Sequence, residues 1–121
     1  MNANKHPDPL RLAVIGCGTV AAYGHVPVMV ESEDIRVAAF VDRDHSRALE
    51  FSQRFGGGEA FEDYREALKR DDIDAVAILT PPRQHCRIAL DAMDAGKHVF
   101  TEKPISHDGA SAEAMVAAAK R

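Results

Sequence analysis

The chain has 121 residues, 45% of them hydrophobic and 28% charged, with a net charge of −4, which is an ordinary globular balance for one domain with a real core. The acidic excess offers no basic stripe for a phosphate backbone, which excludes nucleic acid as a partner, and no apolar run is long enough to span a bilayer. Two cysteines, Cys17 and Cys86, make no disulfide framework and point to a reducing, cytoplasmic setting.

Residues 1–9 are polar, contain two prolines and lack an apolar signal core, so they read as a flexible leader before a domain over 10–121. Arg11–Ile15 predicts a first strand. It runs into Gly16-Cys17-Gly18-Thr19-Val20-Ala21 and then a helical pattern over Val20–Ser32, which Pro27 kinks or splits. Ile35–Val41 predicts a second strand. Asp44–Phe55 predicts a helix capped by Asp44, with Ala48, Leu49 and Phe51 facing in. Gly56-Gly57-Gly58 stops it; a phosphate loop is the weaker alternative, because no strand precedes the glycines and no Lys-Ser/Thr follows them.

Glu59–Phe61 predicts a short third strand, and Asp63–Arg70 a short helix capped by Asp63 with Glu66 at the capping-box position. The apolar run Ile73–Leu79 predicts a fourth strand covered on both faces. Arg83–Ala95 predicts a helix stopped by Gly96, His98–Thr101 a fifth strand, and Gly109–Lys120 a last helix capped by Asp108. Strands alternating with helices imply parallel strands with right-handed crossovers. The expected fold is therefore an α/β, Rossmann-like doubly wound sheet of order 3-2-1-4-5, with ligands beyond the strand C-termini near the first and fourth strands.

The candidate site residues fall at those C-termini. Gly16 lets the chain turn off the strand, Gly18 lets backbone approach a phosphate, and Ala21 lets the following helix pack closely; the amides of the turn face a pyrophosphate. Asp42 closes the second strand at the fingerprint's ribose position, where its charge favours NAD over NADP. The alternative for Asp42 is a turn residue in Val-Asp-Arg-Asp. Arg43 beside it pairs with a 2′-phosphate or stacks on adenine. Thr80, Pro81 and Pro82 form a rigid turn and one groove wall. His85 follows at a helix start, where a neutral ring either contacts the cofactor or holds the turn. Glu102 and Lys103 leave the fifth strand together; the lysine is placed to hydrogen-bond a substrate oxygen and move its proton as hydride leaves, while a solvated Glu–Lys turn is an equal alternative on the tripeptide alone. His25, His85 and His98 lack ligand-like spacing, and His6, His45 and His107 read as solvent-facing or capping, so no metal is expected.

The glycine turn, Val41-Asp42-Arg43, Thr80-Pro81-Pro82-Arg83-Gln84-His85 and Ala95-Gly96-Lys97-His98-Val99-Phe100-Thr101-Glu102-Lys103-Pro104 together resemble the glucose–fructose oxidoreductase, inositol dehydrogenase and rhizopine-catabolism (Gfo/Idh/MocA) family, from about Arg11 to the end. The last stretch is the specific one. The resemblance implies an NAD- or NADP-dependent oxidoreductase acting on sugars, inositols or related hydroxy and carbonyl compounds, homo-oligomeric at full length. It implies that Lys103 lies beside nicotinamide and substrate, that Glu102 lies near the nicotinamide-side ribose, and that Thr80, Pro81 and His85 line the cofactor groove. Family enzymes continue into a second α/β domain, so this chain resembles a cofactor domain without its substrate domain, binding dinucleotide with little or no turnover. The alternative is a stand-alone dinucleotide-binding or regulatory module without catalysis.

Overall fold

The computed structural model describes residues 9–18, 21–80 and 82–101. Five parallel strands form one sheet: β1 (Leu10–Ile15), β2 (Ile35–Val41), β3 (Glu59–Phe61), β4 (Ala75–Ile78) and β5 (His98–Thr101), in the spatial order β3-β2-β1-β4-β5. The connecting helices are α1 (Val26–Glu31), α2 (His45–Arg54), α3 (Tyr64–Leu68) and α4 (Pro82–Asp94). The order of the five strands and of α1–α4, and the type of each, agree with the sequence expectation. The leader and the last helix lie outside the described residues. No described helix is long and apolar enough to cross a membrane.

Side-chain alternation along the strands gives the sheet two packed faces. Ala13, Ile15, Ala39, Val41, Val76 and Ile78 pack with Ala67 and Leu68 of α3 and Ile88, Ala89 and Ala92 of α4. Leu12, Val14, Phe40, Ala75 and Ala77 pack on the other face with Val26 of α1 and Ala48 and Phe51 of α2. Phe40 is fully buried and meets the rings of Phe51 and Phe55 with centroids 5.8 and 6.3 Å away. Each such large side chain contributes roughly 1.5–3 kcal/mol by leaving water. The register shifts by one residue between Leu12 and Ala13, a bulge that passes over Ala38 on β2.

Three local expectations are corrected. The predicted helix over Val20–Ser32 is split, one of the two outcomes expected of Pro27, but its first part is a π-helical turn, Ala21–His25, and only the second, α1, is α-helical. Pro27 explains the break: it has no amide to give the carbonyl four residues back, and its ring crowds that carbonyl. Starting the α-helix anew puts Pro27 in a first turn, where the missing donor costs nothing. Leu49 is 44% exposed rather than facing in. The buried face of α2 uses Ala48 and Phe51, three residues apart, and Leu49 falls on its flank. Glu66 does not close a capping box; it faces Lys69 at 3.8 Å, while Asp63 alone caps α3 by accepting from Arg65 N at 2.9 Å.

The other boundaries have local causes. Asp44 caps α2 by accepting from Ser46 N at 3.1 Å. Gly56, Gly57 and Gly58 all have positive φ, closing α2 and leading into β3 at the lower edge of the sheet, away from the strand C-termini. At that same edge Asp74 accepts from Arg11 N, Nε and Nη2 at 2.9, 3.0 and 2.9 Å. These bonds hold the Asp74 carboxyl at about 2, below its usual 3.8, chiefly through the Arg11 side chain and then the Arg11 amide.

The folded state therefore gains from this carboxylate above pH 3.8, and the gain disappears as pH falls from about 4 through 2. Asp74→Asn is expected to lower Tm at neutral pH by a few degrees and to flatten the loss of Tm between pH 4 and 2, read by thermal denaturation across that range.

Candidate functional site

Parallel pairing aligns the upper ends of four strands. Ile15 pairs with Val41 on one side and Ile78 on the other, and Ile78 pairs with Thr101. The residues that follow this row, beginning with Gly16, Asp42 and Leu79, therefore emerge on one rim. Two further ladder bonds carry the pairing past the strands: Gly16 N donates to Val41 O and Leu79 N donates to Ile15 O, each at 2.8 Å.

Gly16 has a φ of +105°, and a Cβ there would meet Leu79 C at 2.8 Å and Thr80 N at 2.9 Å. Only glycine fits so close to the backbone leaving β4. Gly18 differs: a Cβ on it would meet nothing within 4 Å. No packing within the described protein requires that glycine, and the space above it is open. Cys17, between them, is buried, with Sγ 3.6 Å from Val41 O. Burial first, and then the Asp42 carboxylate, push its thiol up to about 12, so it acts as a small apolar spacer. Ala21 is also buried and packs on the sheet, as expected of the small residue at that position.

Asp42 is half-buried, and both carboxylate oxygens already accept backbone amides: Oδ2 from Cys17 N and Oδ1 from Asp44 N, each at 2.9 Å. The turn role considered for Asp42 is thus present. Each oxygen keeps a further lone pair, so clasping the turn and accepting a hydroxyl are compatible. Arg43 is exposed on the same rim.

Across the groove, Thr80 Oγ1 is buried and has no hydrogen-bond partner among the described residues. His85 is 1% exposed. Its Nε2 lies 2.6 Å from Thr80 O and its Nδ1 3.2 Å from Thr101 Oγ1. Of the two roles open for His85, holding the turn is the one this geometry displays. Pro82 begins α4. Thr19, Val20, Pro81, Glu102 and Lys103 lie outside the described residues.

These elements enclose a groove of about 1140 Å³, running from Gly16 and Gly18 past Asp42 to α3 and the start of α4. Arg43, Arg47, Arg65, Arg83 and Arg87 line it against Asp42, Glu62 and Asp63, an excess of cations in an acidic chain. Arg47, Arg65 and Arg87 escaped the sequence reading. Four-residue spacing links Arg43 to Arg47 and Arg83 to Arg87, but a helical repeat does not reveal that two elements face one groove. Tyr64, also at the groove, donates to Asp91 Oδ2. Burial and that hydrogen bond push its hydroxyl up to about 12, so it stays a neutral donor. Among the described residues no three His, Cys, Asp or Glu side chains gather to hold a metal.

The sequence profile of the Gfo/Idh/MocA proteins, an oxidoreductase family with an NAD-binding Rossmann fold, matches residues 10–121. The chain is 40% identical over 113 residues to dTDP-3,4-didehydro-2,6-dideoxy-alpha-D-glucose 3-reductase of Actinomadura kijaniata, covering 93% of this chain and 34% of that protein. It is 33% identical over 111 residues to the NADP(+)-dependent scyllo-inositol 2-dehydrogenase of Bacillus subtilis, covering 92% of this chain and 34% of that one. Its fold matches the crystal structure of the Actinomadura kijaniata 3-ketoreductase KijD10 in complex with TDP-benzene and NADP, with a TM-score of 0.88 and 39% identity over 93% of this chain and 35% of the other. The chain thus spans about a third of the length of the relatives it matches.

The two glycines of the turn separate by a stability measurement. Gly16→Ala is expected to lower stability by about 2–4 kcal/mol, because a positive φ and a backbone clash coincide. Gly18→Ala is expected to leave Tm within a degree or two of the parent.

Proposed function

The chain belongs to the Gfo/Idh/MocA oxidoreductase family, and we propose that residues 10–121 are the cofactor-binding domain of an NAD(P)-dependent oxidoreductase that moves hydride to or from a sugar, inositol or related hydroxy or carbonyl compound. One observation carries this reading. The glycine turn, Asp42 and Thr80 converge on a single groove lined by five arginines and three carboxylates, at the C-terminal edge of a parallel sheet. The residues present fit a nicotinamide dinucleotide. Gly18 leaves free space beside the turn, and Thr80 Oγ1, buried and without a partner among the described residues, is a hydrogen-bonding position that a polar ligand satisfies.

In this reading the amides of Gly18, Thr19 and Val20 take the pyrophosphate and Ala21 keeps the following turn close. Asp42 accepts from the adenosine ribose, Arg43 flanks it, and Thr80, Pro81 and Pro82 wall the groove, while Glu102 sits by the second ribose. Bound there, the nicotinamide ring supplies or accepts the hydride. Lys103 gives a hydrogen bond to the reacting oxygen of the substrate and takes or returns its proton. The substrate is a small molecule and the whole enzyme a homo-oligomer; the present chain alone binds cofactor without appreciable turnover.

Two features bear on the choice of cofactor. The Asp42 charge favours NAD by repelling a 2′-phosphate. Arg43 and Arg47 on the same groove favour NADP, the cofactor named for the two relatives above.

Calorimetric titration with NAD and NADP tests the reading: micromolar binding of at least one is expected, and no heat and no thermal shift with either would overturn it. Asp42→Asn keeps one of the two acceptors of the turn and removes the charge. It is expected to shift the ratio of NADP to NAD affinity about tenfold toward NADP, and an unchanged ratio removes Asp42 from discrimination. In the whole enzyme, Lys103→Ala is expected to lower kcat about 100-fold or more while cofactor Kd moves less than about threefold.

A further inference from the structure

His85 lies on the first turn of α4, yet its ring is turned inward and ties together the ends of two strands. Thr80 O, at the end of β4, accepts hydrogen bonds and cannot donate them, so the proton on the ring is at Nε2, 2.6 Å away. In the neutral ring Nδ1 is then an acceptor, and the Thr101 hydroxyl donates to it across 3.2 Å. Thr101 is the last residue of β5, paired with Ile78 of β4, and Glu102 and Lys103 follow it directly. The ring thus spans the two strand ends on which the cofactor wall and the Glu-Lys pair are hung. Its burial locks the tautomer, because either nitrogen without its partner would lose a hydrogen bond in a site closed to water.

We infer that His85 is a positioning residue: acting through Thr101, it sets where the chain after β5 meets the nicotinamide end of the groove, and it does so without touching the reacting atoms. The inference builds on the dinucleotide reading above. Its physical content is pre-organisation. With the strap in place, Thr101, from which Glu102 and Lys103 follow in the sequence, is a fixed point; without it, binding must fix the end of β5 itself and affinity falls. The effect belongs to the nicotinamide half of the ligand. The adenosine half is held at the glycine turn and Asp42, on strands that the strap does not join.

Thr101→Val removes the donor and keeps the shape, whereas Thr101→Ser keeps the donor. Calorimetry of the present chain with NADP, NAD and ADP-ribose, which lacks nicotinamide, reads the difference. Thr101→Val is expected to weaken whichever dinucleotide binds about tenfold, to leave ADP-ribose within about twofold, and to be matched by wild-type behaviour in Thr101→Ser. His85→Gln, whose amide still reaches Thr80 O, is expected to reproduce Thr101→Val, and the double variant to add nothing further. Nitrogen-detected NMR of the wild-type ring is expected to show one neutral tautomer protonated at Nε2. Unchanged dinucleotide binding in Thr101→Val overturns the inference, as does an equal loss with ADP-ribose, additive single variants or a ring protonated at Nδ1. A wild-type chain that binds none of the three ligands overturns the dinucleotide reading itself, and the inference falls with it.

Discussion

Val41, Ile15, Ile78 and Thr101 stand side by side across four parallel strands. Strand spacing of about 4.8 Å then separates Val41 from Thr101 by three steps, roughly 14 Å across the rim. Register is the constraint here, because sliding any strand by one residue would exchange its buried faces as well as move its end. The alternation of Ala13 and Ile15 toward one set of helices, with Leu12 and Val14 toward the other, makes that slip costly. The apolar core therefore fixes the spacing of the polar residues, and Ile15, Cys17, Val41 and Ile88 belong both to that core and to the lining of the groove.

The polar contacts at the rim act on a smaller scale. A neutral hydrogen bond adds about 0.5–1.5 kcal/mol net, against roughly 1.5–3 kcal/mol for burying one large apolar side chain. Their role is direction. Asp42 draws the glycine turn toward β2 through Cys17 N, Gly16 lets the turn lie against Leu79 and Thr80, and His85 joins Thr80 to Thr101. Links thus run along the rim from β2 to β5, and the arginines stand on the groove around them. Among the described residues Thr80 Oγ1 is a buried side-chain atom without a hydrogen-bond partner, and the charged lining of the groove carries more arginines than carboxylates.

Much of this was legible beforehand because it is local. Ile35–Val41, Glu59–Phe61 and His98–Thr101 were bounded correctly by apolar runs between turn residues, and Asp44 and Asp63 announced their caps. Sheet order followed from the alternation of elements and the handedness of crossovers. The misses need tertiary information. Leu49 has a core residue's chemistry but the wrong helical phase, and nothing in the heptad around Pro27 distinguishes a kink from a π turn. Asp42 was placed correctly at the rim, but its two amide partners come from chain segments whose approach only the folded turn defines. The arginines of α2, α3 and α4 become one electrostatic feature only when three helices meet one groove.

The motif around β5 divides between two tasks. Lys97 donates from Nζ to Arg70 O and Ile73 O, both at 2.7 Å, fastening the lower end of β5 to the loop that enters β4. Thr101, at the upper end, meets His85. Four residue steps of about 3.3 Å lie between these fastenings, roughly 13 Å of extended chain with little slack. A residue inserted or removed between Lys97 and Thr101 would break one of the two attachments or reverse the faces of Val99 and Phe100. The fixed spacing from Gly96-Lys97 to Thr101 is therefore set by the sheet, and it holds Thr101 at the rim beside Ile78.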